Sequence, residues 1–338
     1  MSLLKTVHRL LEGRDLSMQE AKNAMHEVLS QDLPDAVLAA FLVALRMKGE
    51  TVEELTGFVR QIRVHAVRIR SHHPVVLDTC GTGGDGLRTF NISTLAALVV
   101  AGCGVPVAKH GNRSITSSCG SADLLERLGM RIDVPVLVTQ RCLEKIGFAF
   151  LFAPLFHPSL RRAAGVRKEL SMRTVFNVLG PLSNPAGANC QLLGVAQVGL
   201  AEKAVLVLQA LGCKRAFVVC GTDGMDEVTL AADSMIFHLH HGRVSRHRFR
   251  PESAGMKRVT SRALIGGTPD ENAALARKIL AGQKGPKRDA VVLNAAFGLM
   301  AAGRVGRIQE GIRMAEISLD SRAAQEKLNQ LVQMTQRP

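Results

Sequence analysis

A chain of 338 residues, 46% apolar and 21% charged, is long enough for about two folded domains. It holds no run of the roughly 18 to 20 uncharged apolar residues that a membrane span needs, and Lys5, His8, Arg9 and Glu12 break up the leucines at its start, so neither insertion nor a signal peptide is expected. The seven cysteines, odd in number and without a C-x-x-C pair, exclude a disulfide framework and a structural zinc site and fit a reducing cytoplasm, while a net charge of +14 points to an anionic partner.

The first 70 residues read as helices. Leu3, Leu4, Val7, Leu10 and Leu11 recur at helical spacing and stop at Gly13, and a second helix opens at the capping box Ser17 to Glu20. A third follows Asp32-Leu33-Pro34 and ends before Gly49; a fourth opens at Thr51. The third, Asp35 to Met47, carries Val37, Leu38, Phe41, Leu42 and Leu45 on more than one face, and that surplus predicts burial against a second copy of the chain. From Pro74 short β-rich runs alternate with helical ones: Val75 to Asp78, a helix after Asn91, Val105 to Lys109, a helix from Ser121 to Leu128, and Phe148 to Ala153. Leu192 to Ala196, a helix from Leu200 to Leu211, and Ala216 to Cys220 continue the series, which predicts an α/β domain with a mainly parallel sheet. The basic stretch from His238 to Arg262 reads as a hairpin and connection, and the last 70 residues return to helix.

Three loops at strand ends carry the chemistry. Asp78-Thr79-Cys80-Gly81-Thr82-Gly83-Gly84-Asp85-Gly86 joins a strand to a helix, and its glycines let backbone N–H groups approach an anion. Gly81, Gly83 and Gly86 satisfy G-x-G-x-x-G, yet the next strand ends in Lys109-His110 where a dinucleotide fold wants an acidic ribose ligand, and no Gly-Lys-Ser/Thr follows. A plain tight turn is the bland alternative. Thr89-Phe90-Asn91-Ile92-Ser93-Thr94 puts several hydroxyl and amide groups at a helix start; any one of them could be a cap, but the cluster suits phosphate oxygens and a hydroxyl ligand for Mg²⁺. Lys109-His110-Gly111-Asn112-Arg113-Ser114-Ile115-Thr116-Ser117-Ser118 is basic and hydroxyl-rich, and in a parallel sheet it should converge on the glycine loop, although alone it would read as a solvated charged loop. Asp226-Glu227 follows the strand Ala216 to Cys220; such a pair is usually solvated, but opposite phosphate-cradling loops it is a candidate for Mg²⁺.

Taken together, GTGGDG, TFNIST, KHGNRSITSSCGSAD, FLFAPLFHPSL, VRKELSMRTVFNVLGPLSNPAG and DGMDEVTL resemble the anthranilate phosphoribosyltransferases, over nearly the whole chain. The resemblance implies a helical domain over residues 1–72, completed by a segment near 166–188, a large α/β domain over 73–338, and a homodimer formed through the helical domains. It implies transfer of the phosphoribosyl group of phosphoribosyl pyrophosphate (PRPP) to anthranilate in tryptophan synthesis. By the same resemblance Gly81, Gly84, Asp85, Thr89, Asn91, Ile92, Ser93, Thr94, the Lys109 to Ser117 loop and Ser121 would hold PRPP. Gly81, His110, Asn112 and Arg167 would receive anthranilate, the arginine pairing with its carboxylate, and Ser93, Asp226 and Glu227 would bind one or two Mg²⁺ per subunit. Cys119, where many relatives carry another residue, and the basic stretch from His238 depart from the pattern. Neither His110 nor His157 is assigned as a general base, since an arylamine is neutral at pH 7; His157 could equally open a helix. A nucleoside phosphorylase of the same architecture would not need Arg167, a dehydrogenase lacks its acidic ribose ligand, and a nucleic-acid-binding paralogue without activity draws only on the +14 charge.

Overall fold

The computed structural model describes residues 2–30, 33–114 and 118–337. Four helices open the chain: α1 (Leu3–Leu11), α2 (Met18–Leu29), α3 (Asp35–Lys48) and α4 (Val52–His65). Ser17 and Thr51 cap α2 and α4 in reciprocal boxes with Glu20 and Glu54, as the S/T-x-x-E spacing predicts. Glu54 is fully buried and takes Leu16 N–H (2.9 Å), Thr51 N–H (2.8 Å) and Lys48 Nζ (3.0 Å), so one carboxylate closes the turns before α2 and α4.

The apolar excess on α3 has a different use from the one its sequence predicts. Leu38, Phe41, Leu42 and Leu45 are all fully buried within the single chain, Phe41 edge-on to Phe58 of α4 at 6.0 Å between ring centroids. Helix α9 (Arg161–Leu170) docks on α3 through Ala163 and Val166, with Arg162 paired to Asp35 at 2.8 Å. The apolar residues of α3 are thus covered within the chain, by the neighbouring helices α1 and α4 and in part by α9, a segment far along the sequence.

The seven strands form one sheet in the order β3-β2-β1-β4-β5-β6-β7: β1 (Leu77–Gly81), β2 (Val107–Gly111), β3 (Phe148–Phe152), β4 (Cys190–Gly194), β5 (Arg215–Gly221), β6 (Ser234–His240) and β7 (Arg243–Phe249). The first five are parallel; β5 to β7 are antiparallel, the His238 region forming the predicted hairpin. Strand β1 runs on to Gly81, three residues beyond the predicted Asp78, so the glycine loop starts on the sheet itself.

Alternation on β5 divides the core. Ala216, Val218 and Cys220 face the α1–α4 bundle, α10 (Phe176–Leu182) and α11 (Val198–Ala210), whereas Phe217 and Val219 face the opposite helices. Those are α5 (Ile92–Gly102), α6 (Ser121–Arg127), α7 (Val136–Ile146) and the C-terminal α12 (Pro269–Leu280), α13 (Pro286–Ala301), α14 (Ile308–Asp320) and α15 (Ala323–Gln336), with a short α8 (Ala153–Phe156) after β3. From β1 the chain moves outward to β2 and β3, then returns to the far side of β1 as β4. A crevice opens at such a reversal, outside the carboxyl ends of the strands.

Candidate active site

Gly81 ends β1 and is the register partner of Gly194 at the end of β4. Asp226 packs across both. A Cβ at Gly81 would meet its carboxylate and one at Gly194 its backbone, so neither position has room for a side chain. Beyond Gly81 the loop turns through Gly83 and Gly84 at φ 64° and 73°, a left-handed conformation suited to glycine. The Gly83 N–H donates to Asp226 Oδ2 at 2.7 Å.

Facing this loop, Glu227 (8% exposed) accepts from Ser93 N–H at 3.0 Å, which joins the β5 loop to the first turn of α5. The pair, of a kind usually solvated in a loop, is folded inward toward the glycine loop. Burial raises the Glu227 carboxyl to about 8, with the Asp226 charge adding to it; burial and then Asp85 raise Asp226 to about 6. Their counter-charge is Lys109. It is 2% exposed rather than part of a solvated loop, and its ammonium donates to Thr79 O and to Ser93 Oγ (3.3 Å). Burial lowers its pKa, opposed by Asp78, Glu227 and Asp226. Among the described residues no three His, Cys, Asp or Glu side chains stand ready as a metal-ligand set. Two crowded carboxylates and the Ser93 hydroxyl are all hard oxygen donors, and Mg²⁺ takes one or two carboxylates while keeping water and phosphate ligands, so these residues fit that ion.

The TFNIST segment divides its duties. Asn91 does not cap α5; its side chain donates to Cys119 O (3.0 Å) and accepts from Asn272 (3.2 Å), tying three loops together. Ile92 is buried, leaving only its backbone for a ligand, and Thr94 Oγ1 is buried without a partner. At the other end of the cleft Arg167 of α9 stands over the Phe176 ring at 5.5 Å, its pKa lowered by burial. His110 Nδ1 bonds Gly180 O at 3.0 Å and must carry the proton there, leaving Nε2 as an acceptor. The His157 ring lies 5.0 Å from it. Burial pushes His110 down to about 3 and His157 to about 4, so both are neutral imidazoles.

The glycine loop, Ser93, Lys109, His110, His157, Arg167, Asp226 and Glu227 line one cleft of about 570 Å³. So does every predicted site residue among those described: Gly81, Gly84, Asp85, Thr89, Asn91, Ile92, Ser93, Thr94, Lys109 to Ser114, Ser121, Arg167, Asp226 and Glu227. Ile115, Thr116 and Ser117 lie outside the described residues. Arg113 is at the rim, its guanidinium held by Asp123 and Glu126. Of the nine buried side-chain polar atoms without a partner among the described residues, five belong to this cleft, on Thr82, Asp85, Thr94, His110 and His157, a concentration that suits recognition of a polar ligand. Asp78, which opens the glycine segment and receives no role of its own from the sequence, is fully buried under the site with one oxygen accepting the His110 N–H at 3.1 Å; an Asp inside a strand is the available signal.

Comparison with known proteins agrees with this geometry. Residues 73–325 match the α/β domain of a glycosyl transferase family and residues 5–66 its helical bundle domain. An anthranilate phosphoribosyltransferase from Moorella thermoacetica is 52% identical over 326 residues, 96% of each chain. Among solved structures, the anthranilate phosphoribosyltransferase of Thermus thermophilus superposes with a TM-score of 0.92 at 42% identity, covering 98% of this chain and 99% of its own. That of Saccharomyces cerevisiae, in complex with PRPP and Mg, gives 0.91 at 28% identity, covering 99% and 98%.

Proposed function

The chain belongs to the anthranilate phosphoribosyltransferase family of glycosyl transferases, and from that premise we propose how its own residues carry out the transfer of the phosphoribosyl group of PRPP to anthranilate, with release of pyrophosphate. The observation that carries the assignment of roles is the crowding of Asp226 and Glu227 under the glycine loop, with Lys109 beneath them. Buried like charges are costly without a cation. A diphosphate brought in as its Mg²⁺ complex matches both the carboxylates and the loop N–H groups.

Gly81, Gly84, Asp85, Thr89, Asn91, Ser93, Thr94, Ser121 and the loop from Lys109 would hold PRPP; Ser93, Asp226 and Glu227 would hold one or two Mg²⁺ per subunit. When bound, Mg²⁺ supplies charge neutralisation for the departing pyrophosphate. The residues of the chain do the rest. The Lys109 ammonium opposes the rise that burial forces on Glu227, bound Mg²⁺ would favour the ionised form of both carboxyls, and the loop backbone aligns the diphosphate. Arg167 takes the acceptor carboxylate, and Asn112, His110 and the Gly81 backbone face the amine end. The arylamine is already neutral, so attack at C1 of the ribose needs no strong base. Imidazoles held at about 3 and about 4 stay neutral at pH 7, and the unprotonated Nε2 of His110 offers a lone pair to an N–H group.

On this reading the chain divides into a helical part, residues 1–72 with the segment near 166–188, and an α/β part over 73–338, and works as a homodimer through the helical part. No helix among the described residues is long and apolar enough to cross a membrane. A reducing cytoplasm suits seven thiols of which five are buried. The relatives favour the enzyme over a nucleic-acid-binding paralogue. The deciding experiment mixes purified protein with PRPP, MgCl₂ and anthranilate and follows anthranilate fluorescence. PRPP-dependent loss is expected. No loss, together with tight DNA binding at physiological salt, would overturn the reading.

A further inference from the structure

The glycine loop is gripped from outside as well as from within. Arg173, in the turn between α9 and α10, donates from its guanidinium to the carbonyl oxygens of Gly83 and Gly84, the latter at 3.3 Å. A Cβ at Gly84 would come within 2.8 Å of the guanidinium carbon, so the contact depends on glycine there. A trans peptide unit is planar, and its C=O and the following N–H point in opposite directions. With the Gly83 and Gly84 carbonyls turned to Arg173, the N–H groups of Gly84 and Asp85 are therefore turned away from it. Among the described residues neither N–H has an acceptor. Gly84 and Asp85 line the cleft and Arg173 does not, so the two unused donors face the side on which a ligand would lie.

We propose that Arg173 is a positioning residue for the diphosphate cradle: by holding two successive carbonyls it fixes the Gly84 and Asp85 N–H groups as anion donors. The inference rests on the assignment of PRPP to this cleft and adds to it a residue outside the cleft that sets its donor geometry. The planar fork of arginine can hold two neighbouring carbonyls at once, which a lysine ammonium on a flexible stem does poorly. Arg173 also shares its chain segment with Arg167, so the part of the chain that would receive anthranilate also braces the PRPP loop.

Calorimetric titration of the full chain with PRPP in MgCl₂, alongside steady-state kinetics, tests this. Arg173→Met should raise the PRPP Kd about ten- to a hundredfold, as for loss of hydrogen bonds from a charged group, with the anthranilate KM nearly unchanged. Arg173→Lys should recover part of the loss, and millimolar guanidinium chloride should restore PRPP binding to Arg173→Met. An unchanged PRPP Kd in Arg173→Met would overturn the proposal. So would equal weakening of both substrates that neither lysine nor guanidinium relieves, the mark of a purely structural arginine. The PRPP titration needs no anthranilate, so a wild type that binds PRPP without consuming anthranilate would defeat the functional reading while leaving Arg173 judged on its own.

Discussion

Glu227 and Asp226 are neighbours in sequence, in burial and in the charge that each forces on the other, and the backbone N–H groups of Ser93 and Gly83 alone do not offset that arrangement. Asp226→Asn combined with Glu227→Gln keeps an acceptor oxygen for each N–H and removes the repulsion. The double variant should fold at least as well without Mg²⁺ and lose PRPP-dependent turnover. Melting curves with and without MgCl₂ read the metal directly: a clear upward shift in the wild type and none in the variant. A variant with normal turnover would remove the metal assignment. Arg167→Ala should raise the anthranilate KM about ten- to a hundredfold with PRPP affinity little changed, because a charge-assisted arginine contact is worth on the order of 1.5–3 kcal/mol; equal weakening for both substrates would point to a collapsed α9 instead. At this scale residue types at strand ends were enough to nominate the cleft. Depth was not legible: nothing local to Lys109 or Asp226-Glu227 in the sequence distinguishes a solvated charge from one folded under a loop, since the backbone groups that bond Lys109 and Asp226, on Thr79 and Gly83, are 30 and 143 positions away.

Elements were legible where the chain supplies periodicity and a cap, as in α2 and α4, and illegible where it does not. Helix α9 is RRAAGVRKEL, half of it charged, with a glycine inside and only Ala163 and Val166 buried, so it carries no apolar stripe to find. The resemblance brings a segment near 166–188 to the helical domain, but periodicity does not show the helix over 161–170 that covers part of α3, so α3 reads as over-supplied with apolar residues. Leu42→Asp, which from sequence alone would probe a dimer interface, would place a charge in the core of the chain and unfold the bundle. The bundle has a better probe in Glu54, whose carboxylate satisfies donors from the turns before α2 and α4. Glu54→Ala should lower stability by on the order of 3 kcal/mol, because removing one buried carboxylate leaves the Leu16 and Thr51 N–H groups without an acceptor and takes from the Lys48 ammonium one of three, Asp15 and Gly49 O remaining. Urea unfolding measures it, and a loss within the range of an ordinary surface substitution would show that water replaces the carboxylate.

Two properties belong to the whole molecule, its response to acid and its state of assembly. His157 is held near 4 against 6.5 unfolded, so its contribution is complete above pH 6.5 and is lost as pH falls toward 4, where the unfolded chain takes a proton that the folded one refuses. Asp226 and Glu227, raised to about 6 and about 8, act the other way and lose stability as pH rises through those values. Comparison of wild type with His157→Gln cancels the carboxylates: the gap in unfolding free energy should narrow by up to about 3 kcal/mol between pH 7 and pH 4, and a constant gap would mean the ring is not buried neutral. For the proposed dimer the surface to test is that of α1. Leu4 and Leu11, two turns apart on one face, are 53% and 62% exposed, and Met47 at the end of neighbouring α3 is 77% exposed, so the helical part presents apolar surface after α9 has taken its share. Sedimentation should therefore give twice the 36.4 kDa chain mass. Leu4→Asp with Leu11→Asp should return the monomer with its helical circular dichroism intact, since neither side chain contributes to the core. A wild type that stays monomeric at micromolar concentration would leave those leucines as ordinary surface residues and the helical part without a partner.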